Sequence, residues 1–246
     1  MKRFLFVLTA LLLSASLCDA RKLPAGALGT TTYEIRYTWG AIDAKVATAT
    51  ISLTPDSYQG KSAYHSHAFV KTSAVFRLFI GADLTVDSYI DEAELLPLYT
   101  INPYRKSGKD CKFEYIYDRE ARQVTNVAQG PKETLETKYP FDGRIFDLLT
   151  VLAFVRFLDA GDKPVSLRLM LGEAAYPAVI TYQGKDTERV PGVEADRFQI
   201  RLTERGVMEN GSGNELTFWR SPGSDRRILG LEAAVNPGHM SIRIKQ

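Results

Sequence analysis

The stretch from Asp142 to Asp159 constrains the fold most, because its residues are apolar almost all the way round a helix. A helix without a polar face has to be buried. The segments before and after it alternate apolar and polar residues, which is typical of half-buried strands. The sequence therefore predicts a sheet with an apolar inner face and one helix that the sheet wraps.

The predicted helix has recognisable ends. Asp142 can act as its N-cap, Gly161 can adopt the left-handed conformation that follows a helix, and Pro164 prevents continuation. The segment approaches the length of a membrane span, but the charged residues inside it make insertion into a bilayer costly. We therefore expect a core helix over 142–159 and no integral membrane span.

The alternating segments define the rest of the fold. The strand predicted over 32–39 has an aromatic inner face, and the next strand carries small alanines that leave room for something large opposite, such as the helix. The fold class is mainly β with one central helix, as a strongly curved antiparallel sheet or incomplete β-barrel of about eleven strands. We expect a short N-terminal lead over 21–31 and a single open-barrel domain over 32–246.

The first twenty residues have the features of a secretory signal peptide. Their apolar run, Phe4 to Leu13, is too short to span a bilayer, and the small residues near Ala20 favour cleavage after it. Lipidation at Cys18 is the alternative, but Leu17 stands where a lipidation signal requires a small residue. The sequence predicts an exported protein that is periplasmic or associated with the outer envelope.

Charge and cysteine content exclude some classes of function. A net charge of +2 over 246 residues does not favour nucleic acid as a partner. Cleavage would leave Cys111 as the only cysteine, so it cannot form a disulfide within the chain, and we interpret it as a small strand residue. The sequence has no phosphate-cradling glycine loop and no nucleophile motif, so it indicates no cofactor and no catalytic residue.

Two groups of titratable residues are weak candidates for chemistry. His65 and His67 lie two apart on a predicted strand and point the same way, but zinc needs a third ligand that no spacing nominates. The simpler interpretation is a pair of half-exposed strand residues. Asp91, Glu92 and Glu94 could supply paired carboxylates for acid–base chemistry, although an acidic run before Leu-Pro is typical of a solvated turn.

Four segments occur along the chain in the order YEIRYTWGAIDAKVATATISL, DSYIDEAELLPLYTINPY, YPFDGRIFDLLTVLAFVRFL and LTFWRSPGSDRRI. Together they resemble the exported bacterial proteins of the domain of unknown function 3108 family (DUF3108), from about Tyr33 to Ile244. The resemblance implies no activity and no site residues. In outline such proteins are similar to periplasmic lipoprotein carriers, in which an incomplete barrel wraps a helix and shelters acyl chains. The chain departs from the family pattern at Pro222-Gly223-Ser224, where a more acidic turn is expected.

Three hypotheses for function follow. The first is a non-catalytic envelope module that binds a lipid or other apolar or amphipathic small molecule between sheet and helix. Its candidate wall and plug residues are Tyr37, Trp39, Ala47, Ala49, Phe146 and Phe154. The second is a structural or interaction protein with a filled core and partners among envelope proteins. The third is a hydrolase of envelope polymers, which would need carboxylates or histidines clustered in a cleft.

Overall fold

The computed structural model describes residues 23, 25–74, 77, 83–106, 109–159, 161–172, 174–190, 192–203 and 214–245. The predicted signal peptide, with Cys18 and Ala20, lies outside these residues. A short 3-10 helix, Ala25–Ala27, precedes the first strand.

Within these described residues, fifteen strands form one sheet. They are β1 (Gly29–Trp39), β2 (Ile42–Tyr58), β3 (Lys61–Thr72), β4 (Leu84–Asp91), β5 (Pro97–Lys106), β6 (Lys109–Asp118), β7 (Gln123–Gln129), β8 (Thr134–Pro140), β9 (Ile145–Phe146), β10 (Val165–Leu171), β11 (Ala174–Asp186), β12 (Ala195–Leu202), β13 (Glu215–Arg220), β14 (Ile228–Ala234) and β15 (His239–Ile244). The helix α1 (Leu148–Val155) lies between β9 and β10. The predicted mainly β fold with one central helix is confirmed, whereas the count of about eleven strands was too low.

The sheet consists of two antiparallel meanders that meet at the first and last strands of the chain. Strands β1 to β8 pair in sequence order, as do β10 to β15. The meanders join where β1 pairs with β15, which places Tyr33 opposite Ile244 and Thr38 opposite His239. The short strand β9 adds in parallel to β10. The edges are therefore β8 and β9, and the sheet is open.

Two strands lacked the apolar alternation used to predict the others. Six of the seven residues of β8 are exposed, as suits an edge strand, and its charged residues Glu136 and Lys138 protect that edge from further pairing. Strand β9 is two residues long and lies inside the segment predicted as helix. Neither could be recognised from a periodic pattern.

The predicted helix limits, 142–159, were wrong at both ends. The N-cap is Asp147, whose Oδ1 accepts hydrogen bonds from the amides of Leu149 at 2.8 Å and Thr150 at 3.0 Å. Asp142 cannot play this role, because Gly143 follows it with a φ of 79°, outside the helical range. The helix ends with its C-cap at Arg156, well before Gly161, and the amide of Phe157 bonds to the carbonyl of Phe154 as the last turn tightens.

The helix is buried on almost every side, and only Leu148, with 43% of its surface exposed, points clearly to solvent. Its main core partners come from β10 to β14, where the rings of Phe198 and Phe218 stack with centroids 5.6 Å apart. In the described ranges, no helix has the length and hydropathy that a bilayer span requires.

Side chains connect the two edges of the open sheet. Aromatic residues of β6 pack against residues of β9 and β10, and the cluster contains Tyr115, Tyr117, Val124, Phe141, Ile145 and Met170. The Tyr115 hydroxyl also donates a 2.5 Å hydrogen bond to the carbonyl of Gly172. The sheet therefore curls until its ends approach, and it keeps α1 inside.

Candidate ligand-binding site

One stripe of α1 borders a cavity. Leu149, Leu152, Ala153 and Arg156 follow one another at spacings of three, one and three residues, which places them on one face of the helix. Seven residues at 1.5 Å each make this stripe roughly 10 Å long. The cavity beside it has a volume of about 80 Å³. Three apolar side chains at one end and a guanidinium at the other give the space two chemically different ends.

The opposite wall comes from strands at the join between the two meanders. It is mostly apolar and includes Tyr33, Ile51, Leu53, Ile228, Leu231 and Ile242. Gly230 lies among them, and a Cβ added there would come within 2.9 Å of the carbonyl oxygen of Ile242. The absence of a side chain at Gly230 therefore allows β14 and β15 to approach closely here, and a larger residue would push these two strands apart.

The wall is not sealed by the helix. Ile51, Leu152, Leu231 and Ile242 line the cavity, yet each is only partly buried. Gly29 also lines it and is exposed, so the cavity reaches the surface near the start of β1. Apolar side chains left uncovered in a concave space are typical of binding sites for apolar ligands.

Arg156 is a buried cation at the end of this stripe. Only 8% of its surface is exposed, and its Nη1 donates a 2.6 Å hydrogen bond to the carbonyl oxygen of Ala27. Its Nε is buried and has no hydrogen-bond partner among the described residues, which is also true of the Nε of Arg220. Within the described part of the chain no carboxylate forms a salt bridge with Arg156, and burial lowers the pKa of its guanidinium. Buried arginines are usually paired, so this residue is unusual.

The other arginines near the end of α1 each have a carboxylate partner. The N–O distances are 2.7 Å for Arg220–Asp196, 2.6 Å for Arg226–Asp159 and 3.3 Å for Arg227–Asp225. Arg220 also donates to the carbonyls of Val155 and Leu158, at the end of the helix where carbonyls lack their full set of intrahelical partners. Arg156 is thus the exception among four neighbouring guanidinium groups.

Tyr33 supplies the polar group on the wall. Its hydroxyl donates to the carbonyl of Ile228 at 3.1 Å, and the residue is buried. Desolvation raises the pKa of this phenol, although the positive charge of Arg156 opposes the shift. The hydroxyl therefore stays neutral at physiological pH and does not provide the missing anion for Arg156.

The first turn of α1 is anchored by a buried polar network. The Asp147 Oδ2 atom accepts hydrogen bonds from Ser88 and Thr100, both at 2.9 Å, and from Thr150 at 2.7 Å. With its other oxygen bound to backbone amides, this carboxylate is fully occupied. The network fixes the helix against β4 and β5 and so determines which stripe faces the cavity.

The predicted wall and plug residues lie elsewhere. Phe146 and Phe154 pack together in the main core with ring centroids 4.9 Å apart. Ala47 and Ala49 are buried directly opposite residues of β1, and Ala49 makes room for the ring of Tyr33. The small side chains on β2 thus accommodate a neighbouring strand's aromatic ring.

Tyr37 and Trp39 lie at the far end of β1. The Tyr37 hydroxyl donates to the carbonyl of Pro237 at 2.7 Å, and Trp39 is 53% exposed. Neither lines the cavity beside α1. The stripe residues could have been found from the sequence, because Arg156 is a charged residue at helical spacing from Leu149 and Leu152, but the predicted helix limits gave no reason to single out this stripe.

The two histidines have an unpredicted partner on the outer face of the sheet. Asp87 Oδ1 lies 2.8 Å from both His65 Nε2 and His67 Nδ1. Asp87 is directly opposite His67 in the β3–β4 register, which sequence spacing alone did not reveal. No group of three or more His, Cys, Asp or Glu among the described residues has an arrangement that could hold a metal. The His65 ring stacks on Tyr89 at 4.7 Å.

The acidic run forms a turn. Asp91 Oδ1 accepts hydrogen bonds from the amides of Ala93 and Glu94, both at 2.9 Å. Arg119 forms ion pairs with Asp91 and Glu94. These carboxylates stabilise the β4–β5 connection, as the sequence interpretation of a turn predicted. Cys111 is buried within β6, in agreement with its interpretation as a small strand residue.

A second, wider cleft lies where the two edges of the sheet approach each other. Its volume is about 320 Å³, and its lining includes Tyr117, Arg119, Arg122, Phe141, Asp142 and Ile145. Arg122 and Asp142 form a strongly exposed ion pair at 3.7 Å across it. This cleft is more polar than the cavity beside α1 and would suit a hydrated guest.

Comparisons with known proteins identify a family and a fold. A crystal structure of a "Beta-barrel-like Protein of Domain of Unknown Function DUF1849 from Brucella abortus" is similar, with a TM-score of 0.55 and 8% sequence identity over 88% of this chain and 95% of that chain. At this identity the likeness shows the fold alone. No curated protein sequence matches the chain significantly. The profile of the family described as "Protein of unknown function (DUF3108)" matches residues 32–243, and the chain belongs to that family.

Proposed function

We propose that this protein is a non-catalytic binding module of the bacterial cell envelope, exported by its N-terminal segment, which holds an apolar or amphipathic small molecule between α1 and the sheet. The observation that carries the proposal is the cavity between the helix stripe and the wall at the β1–β15 join. Apolar side chains dominate both of its sides, and several of them are only partly buried. The hydrophobic effect would favour any guest that covers them.

A second candidate function is a structural or interaction protein of the envelope. The volume of about 80 Å³ favours it, because pockets for small ligands usually measure about 300–1,000 Å³. In this alternative the cavity is a packing defect and partners bind the outer surface. The two candidates predict opposite results for the binding of an apolar probe. The turn geometry of Asp91 and Glu94 gives the hydrolase hypothesis no support.

The binding of N-phenyl-1-naphthylamine, a neutral apolar fluorophore, tests the proposal. Purified protein should enhance its fluorescence with saturable, one-to-one binding. Ala153 is buried on the cavity side of α1, so Ala153→Leu should fill the space and weaken probe binding about tenfold or more. Native mass spectrometry of gently purified protein should also detect a co-purified small molecule.

The matched control is Ala121→Leu, which adds the same atoms at an exposed turn far along the sequence from α1. It should bind the probe like the unmodified protein. Saturable binding that Ala153→Leu leaves intact would place the probe elsewhere and contradict the site. An absence of saturable binding, with a bare-chain mass in the native spectrum, would favour the second candidate.

A further inference from the structure

The cavity beside α1 has a cationic end without an anion. We infer that its guest is a single-chain amphiphile with an anionic head, whose carboxylate or phosphate pairs with Arg156 while its alkyl chain lies along Leu149 and Leu152. This inference rests on the proposed function and names the class of ligand that the same site takes.

The guanidinium of Arg156 is buried without a salt bridge to any described residue. Taking a charge out of water has an effective cost of several kcal/mol, which an ion partner normally offsets. Arg220, Arg226 and Arg227 all have such partners. Arg156 has one hydrogen bond to a backbone carbonyl and, among the described residues, no carboxylate partner; its Nε is buried without a hydrogen bond, as is that of Arg220, so the missing carboxylate is the difference. A site of this kind is complementary to an anion that comes from outside the chain.

The surroundings of Arg156 offer no substitute anion. Tyr33 is a neutral hydroxyl that already donates to Ile228, and burial raises its pKa. Asp225 is close enough to influence Arg156, but it accepts a 2.6 Å hydrogen bond from Ser221 and pairs with Arg227. The planar guanidinium can bind two oxygens of a carboxylate or phosphate at once.

The shape of the cavity limits the part of the guest that lies beyond its anionic head. The stripe from Leu149 to Arg156 is roughly 10 Å long and apolar except at its last residue. A volume of about 80 Å³ leaves little room for two chains side by side. A single flexible alkyl chain that enters near Gly29 or between the partly buried wall residues fits both the length and the polarity.

Head-group variation on the unmodified protein is the direct test. Dodecanoate, dodecyl phosphate and dodecanol share one chain length and differ in the head, and each is titrated against bound N-phenyl-1-naphthylamine at neutral pH, below micelle concentrations. We expect at least one of the two anions to bind about tenfold more tightly than dodecanol, as measured by displacement of the probe. This difference corresponds to the strength of one charge-assisted hydrogen bond. The tighter anion identifies the head as carboxylate or phosphate.

Substitution of Arg156 tests whether this residue binds the anionic head. Arg156→Met should remove the preference for anions while dodecanol affinity changes less than about threefold, and Arg156→Lys should retain part of the preference because it keeps the charge. Arg226→Met, which removes the same charge from a neighbouring arginine that is paired with Asp159, should leave the preference unchanged. Circular dichroism confirms that each variant is folded.

The outcomes distinguish failure of the anionic guest from failure of the proposed binding function. Equal affinity for all three amphiphiles, with probe binding intact, would overturn the anionic guest and leave the apolar binding module standing. Failure of the probe and of every amphiphile to bind would remove the proposed function itself. If Arg156→Met does not fold, the head-group comparison on the unmodified protein and the Arg156→Lys variant still decide the question.

Discussion

The two faces of α1 are packed differently, although one sheet surrounds both. On the side of β10 to β14, Val151 and Val155 are completely buried against Phe198, Phe218 and their neighbours. On the side of the β1–β15 join, the stripe that contains Leu152 and Arg156 borders a cavity and a partly uncovered wall. The filled face holds the helix in position, so the other face can remain incomplete and accept a guest.

The end of the helix shows the same difference in its charges. Arg220, on the filled side, has the carboxylate of Asp196 at 2.7 Å, and its guanidinium lies 4.8 Å from the centre of the Phe198 ring. For Arg156, on the cavity side, the described residues supply one side-chain hydrogen-bond acceptor, the carbonyl of Ala27. The Nε atoms of both arginines are buried without a hydrogen bond among the described residues, so the carboxylate partner is what distinguishes Arg220 from Arg156. A buried cation without such a partner, next to a cavity, is characteristic of a ligand site.

Truncation of a side chain that packs on the filled face should cause the largest loss in the free energy of unfolding. Phe198→Ala removes a ring that is 1% exposed and stacks on Phe218, and we expect a loss of about 3–5 kcal/mol in the free energy of unfolding. Leu152→Ala, on the cavity side and only partly buried, should lose less than about 2 kcal/mol. Urea unfolding followed by circular dichroism measures both, and equal losses would mean that the two faces are packed alike.

Removal of one charge partner should have the next largest effect. Asp196→Asn keeps the shape of the side chain but leaves Arg220 buried without a counterion, so we expect a loss of about 2–3 kcal/mol. Arg156→Met breaks one hydrogen bond and also removes an unpaired buried charge, so its net effect should stay within about 1 kcal/mol. A large loss from Arg156→Met would show that this arginine is a structural group like Arg220.

Filling the cavity should change stability only slightly, and in the opposite direction. Ala153→Leu occupies space that is empty beside α1, and we expect a gain of about 0.5–1 kcal/mol. Thermal unfolding at low protein concentration measures this gain. A clear loss of stability would indicate that the stripe is already close-packed and that no guest fits there without movement of the helix.

The smallest expected change in stability comes from the outer surface of the strands that pack against the filled face of α1. Trp219 Nε1 donates to Asp186 Oδ2 at 2.9 Å, and this hydrogen bond lowers the pKa of the Asp186 carboxyl. A lowered folded-state pKa contributes stability above the unfolded value of about 3.9, and this contribution is lost as the pH falls through the folded value. Asp186→Asn should therefore flatten the acid limb of the stability curve by a small amount, without affecting probe binding. Tryptophan fluorescence between neutral pH and pH 3 measures this change in the pH dependence of stability.

Much of the architecture was predictable because apolar periodicity reports burial. Tyr33 and Ile35 alternate with polar neighbours and do line the interior, and the apolar run around Val151 does form the central helix. Strand β8 was missed because an edge strand exposes nearly all of its residues and has no apolar period. The helix start was misplaced because Asp142 and Asp147 are both acceptable N-caps, and only the backbone at Gly143 decides between them.

The site was harder to predict than the fold. Its walls come from both ends of the chain, since Gly29 and Ile242 line one cavity, and no local pattern relates residues so far apart. The unpaired state of Arg156 is likewise a property of three-dimensional packing, because acidic residues are abundant in the sequence. Ala47 and Ala49 show the converse case, because small residues predicted to leave space for a ligand lie opposite Ile35 and Tyr33 of the neighbouring strand.

The pairing of β1 with β15 has a consequence for how the chain folds. Each meander can assemble from hairpins between neighbouring strands, which are local contacts that form early. The join between Tyr33 and Ile244 requires β15, so the cavity wall cannot be completed until that strand is available to pair. In a protein that crosses a membrane unfolded, this order would postpone assembly of the cavity until β15 has crossed.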